Sequence, residues 1–296
     1  MSAPPTDAAA PEGGLRALWA SPTARVGLGL LGAVALLALA GPLLLAHGPR
    51  ELVAAPLAAP SAGLPLGANA VGQDLAAQLA AGARTSLAVA LLAGAGTVAL
   101  GGTIGLAAGW FGGTVEAATM RVVDLALVVP RLPLLVLVGA YLGPSTPLIA
   151  ATIALVFWPG TARIVRAQTR SLRARAHVRA SRGFGAGAWH VMRRHLLPEL
   201  ALVLAAALVA AASRAVLLEA GLAFLGLGDP TGASWGRTLR DAIEFSGLFY
   251  TPAWQWWLLP PTLAISALLI GLTLTGVGLE GRSNPRTSRH RPGATP

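Results

Sequence analysis

Residues 163–198 read RIVRAQTRSLRARAHVRASRGFGAGAWHVMRRHLLP, with nine arginines and no acid. A segment so charged cannot lie in hydrocarbon. Apolar runs flank it on both sides, Pro147–Val165 before and Leu200–Gly221 after. Each is about twenty residues long, the length an α-helix needs to cross a bilayer. The basic stretch is therefore a loop between two membrane spans, on the side where arginine collects, the cytoplasmic one.

Working outward, four more apolar runs complete a set of about six: Val26–Ala46, Ser86–Ala108, Val122–Leu142 and Trp256–Leu279. Composition agrees, with 54% hydrophobic and 11% charged residues and a mean hydropathy of +0.65. Soluble domains carry about 25% charged residues, so the chain reads as an all-α membrane protein. Pro130, Pro133, Pro159, Pro260 and Pro261 fall within spans and predict kinks. The fourth span is the weakest, since Pro159-Gly160 interrupts it. The first run also fits a secretory leader behind Arg16 and Arg25, but at about 21 residues it is long for one, and a retained helix is expected. The organisation is then a disordered or amphipathic cytoplasmic tail over 1–25 and a first helix over 26–47. A core of five further spans follows over 84–280, with the loop 163–198 inside it, and a cytoplasmic tail over 281–296 ends the chain.

Orientation follows from the arginines. With the N-terminus inside, sixteen fall on cytoplasmic segments: Arg16, Arg25, Arg121, the nine of the loop and four between Arg282 and Arg291. Four (Arg50, Arg84, Arg237, Arg240) fall outside, and Arg131 and Arg214 lie within spans. That asymmetry sets both termini in the cytoplasm. The net charge of +10 thus marks a membrane side and not a nucleic-acid surface. The absence of cysteine excludes disulfides and thiolate chemistry. Gly101, Gly105 and Gly109 recur every fourth residue on one face of the second span, where they predict a close helix contact.

Within the loop, two helical pieces are expected around Gly183-Phe184-Gly185-Ala186-Gly187. Pro198 suits the first turn of the next helix, and Glu199 complements its positive end. Phe184 and Trp189 are large apolar residues in a polar segment, as on a partner surface; the plainer reading is a basic loop that only fixes topology. The alternating glycines have neither the preceding strand nor the Lys-Ser/Thr of a phosphate cradle. His177, His190 and His195 are neither paired with an acid in sequence nor spaced i,i+4, so a metal site is not expected.

The spacing of the loop resembles the signature of ABC importer permeases: Glu-Ala-Ala, three residues, Gly, nine residues, Ile-x-Leu-Pro. Here Arg179-Ala180-Ser181, three residues, Gly185 and nine residues lead to His195-Leu196-Leu197-Pro198. Further blocks match in order: PLGANAVGQDLAAQLAAGARTSL (65–87), AGWFGG (108–113), MRVVDLALVVP (120–130), LLEAGLAFLGLG (217–228) and SWG (234–236). Over residues 20–286 the chain is similar to the C-type subunit of dipeptide, oligopeptide and nickel permeases. The resemblance implies a type I importer permease fold moving peptides, a nickel or other metal chelate, or a related solute. It also implies pairing with a homologous permease, docking of two cytoplasmic ATPases that bind ATP and magnesium, and delivery by an extracytoplasmic binding protein. No cofactor and no catalysis are implied for this chain. The coupling helix would centre on Ala180–Gly187, with Phe184, Ala186 and Gly187 against an ATPase. Arg179 and Ser181 depart from the family's Glu and Ala, which puts any salt bridge there in question.

Charges inside spans are functional candidates by default. Asp124 lies one helical turn from Arg121, so a local pair is expected. Arg131 is flanked by prolines. Arg214 and Glu219, five residues apart, lie about 140° apart around a helix and are not expected to pair. All four are candidates for a solute path or a subunit interface. Trp254, Trp256 and Trp257 read as interfacial anchors; Trp235 and Tyr250 share their segment, which is a candidate surface for receiving a binding protein. An ion-coupled carrier or an intramembrane enzyme remains the alternative from another class, although no paired nucleophile and base is visible in the spans.

Overall fold

The computed structural model describes residues 21–143 and 145–283, and all its regular elements among these are helical. The long helices are α1 (Pro22–Leu44), α2 (Leu75–Phe111), α3 (Gly113–Val128), α4 (Arg131–Leu142) and α5 (Thr146–Arg173). There follow α6 (Ala176–Gly183), α7 (Ala188–Phe224), α8 (Trp235–Glu244) and α9 (Leu259–Ser283). Five helices are long and apolar enough to cross a membrane, and the bent pair α3–α4 makes a sixth crossing possible.

The glycine stripe decides how that pair must run. A Cβ on Gly101 would lie 2.6 Å from the Trp158 carbonyl oxygen, one on Gly105 2.5 Å from that of Ala162, and one on Gly109 2.7 Å from Thr169 Cβ. The two backbones touch because no side chain intervenes. The contacts advance together along both helices, so α2 and α5 run parallel. Two parallel neighbours need a return crossing between them, and α3–α4 supplies it. The pair is one span broken by 76°, with the break at Val129-Pro130, where proline cannot continue a helix. By contrast α7 runs antiparallel to α2, with Gly94 against Leu208 and Ala212, and Gly102 against Leu204. α9 runs antiparallel to α1, where Gly27 meets Thr275 and Gly278 meets Ala24. Six alternating crossings result. With the arginine-rich ends inside, both termini face the cytoplasm.

Several boundaries differ from the expectation. α1 begins at Pro22 and not at 26, because Ser21 accepts from the Ala24 amide and Pro22 occupies the first turn. α2 begins at Leu75, nine residues before 84, because buried Asp74 accepts from the Ala76 and Ala77 amides at 2.8 and 3.3 Å. This places Arg84 inside the helix and not in an outer segment; its Nε donates to the Ala38 carbonyl of α1 at 2.6 Å. α5 passes through Pro159 without a break and continues to Arg173, so its last turns hold Arg163, Arg166, Arg170 and Arg173. The first twenty residues of the expected N-terminal tail, and residues 284–296 of the C-terminal one, lie outside the described residues.

Candidate functional site: a cytoplasmic outcrop and an outer clamp

On the cytoplasmic side the loop folds into a rooted outcrop. Val178, Val191 and Leu196 are fully buried against Trp110, Val165, Leu172 and Leu200 at the ends of α2, α5 and α7. Acids from other segments neutralise much of its charge. Asp124 pairs with Arg163 of α5 and not with Arg121, since the two helices face each other there. Glu116 takes Arg166 and Arg170. Glu199 takes Arg175 and also His177, at 3.1 Å from Nε2, so one histidine does have an acidic partner, brought by the fold and not by spacing. Arg173 donates to the Trp110 carbonyl, and the Arg182 guanidinium sits 5.2 Å from the centre of the Trp110 ring.

The short helix lies at Ala176–Gly183, earlier than the expected centre at 180–187. Gly185 ends it with φ +84°. The Gly185 amide donates to the Arg182 carbonyl at 3.0 Å and the Ala186 amide to that of Ser181 at 3.1 Å. This is the left-handed helix stop that glycine favours. A Cβ on Gly185 would meet no atom within 4 Å, so conformation, not crowding within this chain, requires glycine. The tip exposes Phe184 (92%) and Trp189 (69%), with Arg179, Ala180 and Gly187 also exposed and Ser181 and Ala186 half-buried. Beyond it, His195 and Leu197 are half-buried and Pro198 exposed. The turn Met192–Leu196 is widened to a π-helix, the Leu197 amide bonding back to Met192. Pro198, without an N–H and with a ring crowding the turn behind it, accounts for the widening.

The outer side holds a clamp built on Glu219, Ser234, Trp235 and Gly236. Glu219 is buried (2%), and Ser234 Oγ donates to its Oε1 at 2.6 Å. Trp235 is wholly buried, with Nε1 donating to the Leu79 carbonyl at 2.8 Å. Its ring fills the place a side chain at Gly82 would occupy, 2.5 Å from that Cβ position. A Cβ on Gly236 would lie 2.1 Å from the Ala220 carbonyl oxygen, so α8 rests on the backbone of α7. Glu219 thus belongs to this clamp. Arg214 lies elsewhere: its guanidinium, and that of Arg131, lie over the Phe157 ring at 5.5 and 4.9 Å from the centroid. Trp257 is buried beside Phe245, with ring centroids 5.8 Å apart. It is core, not an interfacial anchor, because the chain folds back over it after α8.

Between α7 and α8, Asp229 accepts from the amide and hydroxyl of Thr146 at 3.0 and 3.1 Å, capping α5, and from the amide and hydroxyl of Thr231 at 2.8 and 2.6 Å. Burial works to raise its pKa, but these bonds outweigh it and hold the carboxyl at about 2, below the ordinary 3.8. A depressed carboxyl stabilises the fold above its unfolded pKa, and that contribution is lost as pH falls through the folded value. The stability difference between wild type and Asp229→Asn is therefore expected to shrink between about pH 4 and about pH 2. Thermal midpoints of the purified protein across that range check this; a gap independent of pH would refute the cap.

Among the described residues no three His, Asp or Glu side chains gather as a metal would need. The arrangement is that of a helical membrane component with a cytoplasmic outcrop rooted in its core and a locked outer end. The family of binding-protein-dependent transport system inner membrane components matches residues 101–289, and the chain belongs to it. It is 37% identical over 262 residues to a putative peptide permease protein of Brucella ovis, covering 88% of this chain and 86% of that one. To the oligopeptide transport system permease protein OppC of Mycobacterium tuberculosis it is 34% identical over 233 residues, 77% and 78% of the two chains. It is a multi-pass inner-membrane transport component, in a family that works with binding proteins and ATPases.

Proposed function

We propose that this chain is one permease subunit of an ATP-driven importer of peptides, paired with a homologous permease. Two cytoplasmic ATPases carry the ATP and magnesium, an extracytoplasmic binding protein delivers the solute, and this chain itself catalyses no reaction. The observation that carries the reading is the outcrop: two large apolar side chains stand exposed on a base whose own valines are buried. Such a patch on a rigid support is what a partner surface requires. Peptides are preferred to nickel chelates because the relatives quoted are named as peptide permeases. Family membership favours ATP-driven transport over an ion-coupled carrier or an intramembrane enzyme.

Phe184, Gly185 and their neighbours Arg179–Ser181 would meet the ATPase, with Ala186, Gly187, His195, Leu197 and Pro198 shaping the base. Arg179 presents a cation to that partner, so the facing groove should be acidic or neutral. The test is co-purification with the ATPases of its own transport system. The Phe184→Ala/Trp189→Ala variant should recover at least about tenfold less ATPase than wild type, the loss expected when two buried anchors are removed. Membrane insertion should be unchanged. Undiminished recovery would sink the docking role.

A further inference from the structure

The membrane interior of this chain carries two cations with no acid to meet them. Among the described residues neither Arg131 nor Arg214 forms an ion pair, yet both guanidinium groups lie over one ring, Phe157. Three helices agree on the depth. Phe157 lies eleven residues after the start of α5, Arg131 eleven before the end of α4 and Arg214 ten before the end of α7. At 1.5 Å per residue each is about 15 Å from the outer helix ends, near the middle of a hydrocarbon core about 30 Å thick. Phe157 is rooted among Leu135, Ile149, Ala215 and Leu222, while both arginines are exposed on the surface of the chain.

That surface cannot be turned to lipid. A charge at the bilayer centre is costly unless it faces protein or water. The same face holds the broken backbone at Val129-Pro130, with Val128 and Leu132 exposed beside it, and non-helical backbone at this depth is tolerated only against protein or a water-filled path. We infer that Arg131 and Arg214, stacked on Phe157, form a mid-membrane station for the carboxylate of the passing solute. The inference rests on the peptide reading above. Every free peptide ends in a carboxylate, and a guanidinium offers that group two parallel hydrogen bonds. An acid fixed on the neighbouring permease would instead neutralise the pair permanently, and the test separates the two.

The chain lacks cysteine, so an introduced thiol is its only one. In the assembled complex, Arg131→Cys should react with 2-sulfonatoethyl methanethiosulfonate faster than with the trimethylammonium reagent. Adding Arg214→Ala should cut that preference about tenfold, the scale on which a local charge concentrates a counter-ion. In proteoliposomes, Arg131→Ala/Arg214→Ala should reduce uptake of trialanine at least about tenfold, as expected when a charge-assisted hydrogen bond is lost. Uptake of trialanine amide should change less than about twofold, and Arg131→Lys/Arg214→Lys should restore part of the trialanine rate. No labelling, no preference for the anionic reagent, equal loss of both peptides, or failure of the variant to assemble with the second permease would each overturn the station. A wild-type complex that carries neither peptide would count against the peptide reading, and the labelling arm would then decide the arginines alone.

Discussion

Trp235→Ala is expected to destabilise the protein by about 3–5 kcal/mol, the range for emptying a buried aromatic site. The ring is wholly buried, it fills the notch left by Gly82, and its N–H donates to the Leu79 carbonyl. Lipid replaces water around much of this protein, but the emptied cavity costs energy in either medium. Trp235→Phe separates the packing from the hydrogen bond, keeping most of the volume while losing a bond worth about 0.5–1.5 kcal/mol, since the Leu79 carbonyl lies within α2 and keeps its helical partner. Thermal midpoints in detergent should rank wild type above Phe above Ala. An alanine variant as stable as wild type would mean that the clamp holds nothing.

Gly185→Arg and Gly185→Asp are expected to abolish uptake while the protein still inserts in the membrane. Two effects add. A residue with a Cβ at φ +84° is strained by about 1–3 kcal/mol, and a long or charged side chain stands at the exposed tip where the ATPase is proposed to seat. Gly185→Asn is the informative control, because asparagine tolerates the left-handed region and is short. It should retain a substantial fraction of wild-type transport. Normal uptake by the arginine or aspartate variant would refute the assignment of this tip to coupling.

The sequence carried the spans, the orientation and the outcrop, because each rests on local signals: apolar length, arginine asymmetry and glycine spacing. Asp124 shows where such signals stop. Arg121 is one turn away in sequence, yet Arg163 wins, since the antiparallel packing of α5 beside α3 cannot be read from either segment alone. The same holds for His177, whose acid, Glu199, arrives from α7. Prolines at 130, 133 and 159 look alike in the sequence, but only the first accompanies a broken span. Pro159 sits in a helix whose neighbours hold it, so the surroundings decide. Trp257 looks interfacial beside Trp254 and Trp256, and only its packing against Phe245 reveals it as core; the notch at Gly82 that takes Trp235 has no sequence signal either. The pairing of Arg131 with Arg214 over Phe157 joins three segments and had no local signal at all.

The parallel pairing of α2 with α5 also bears on biosynthesis. As α2 leaves the ribosome its stripe of small residues has no companion, because the companion is made only after the chain has crossed the membrane once more, through the broken span α3–α4. Until then the stripe must rest against lipid or a chaperoning insertase. Maturation therefore has an obligatory late step, the sideways docking of two already inserted rods, and any pause in translation before Thr146 leaves an intermediate whose most adhesive face is open to the wrong neighbour.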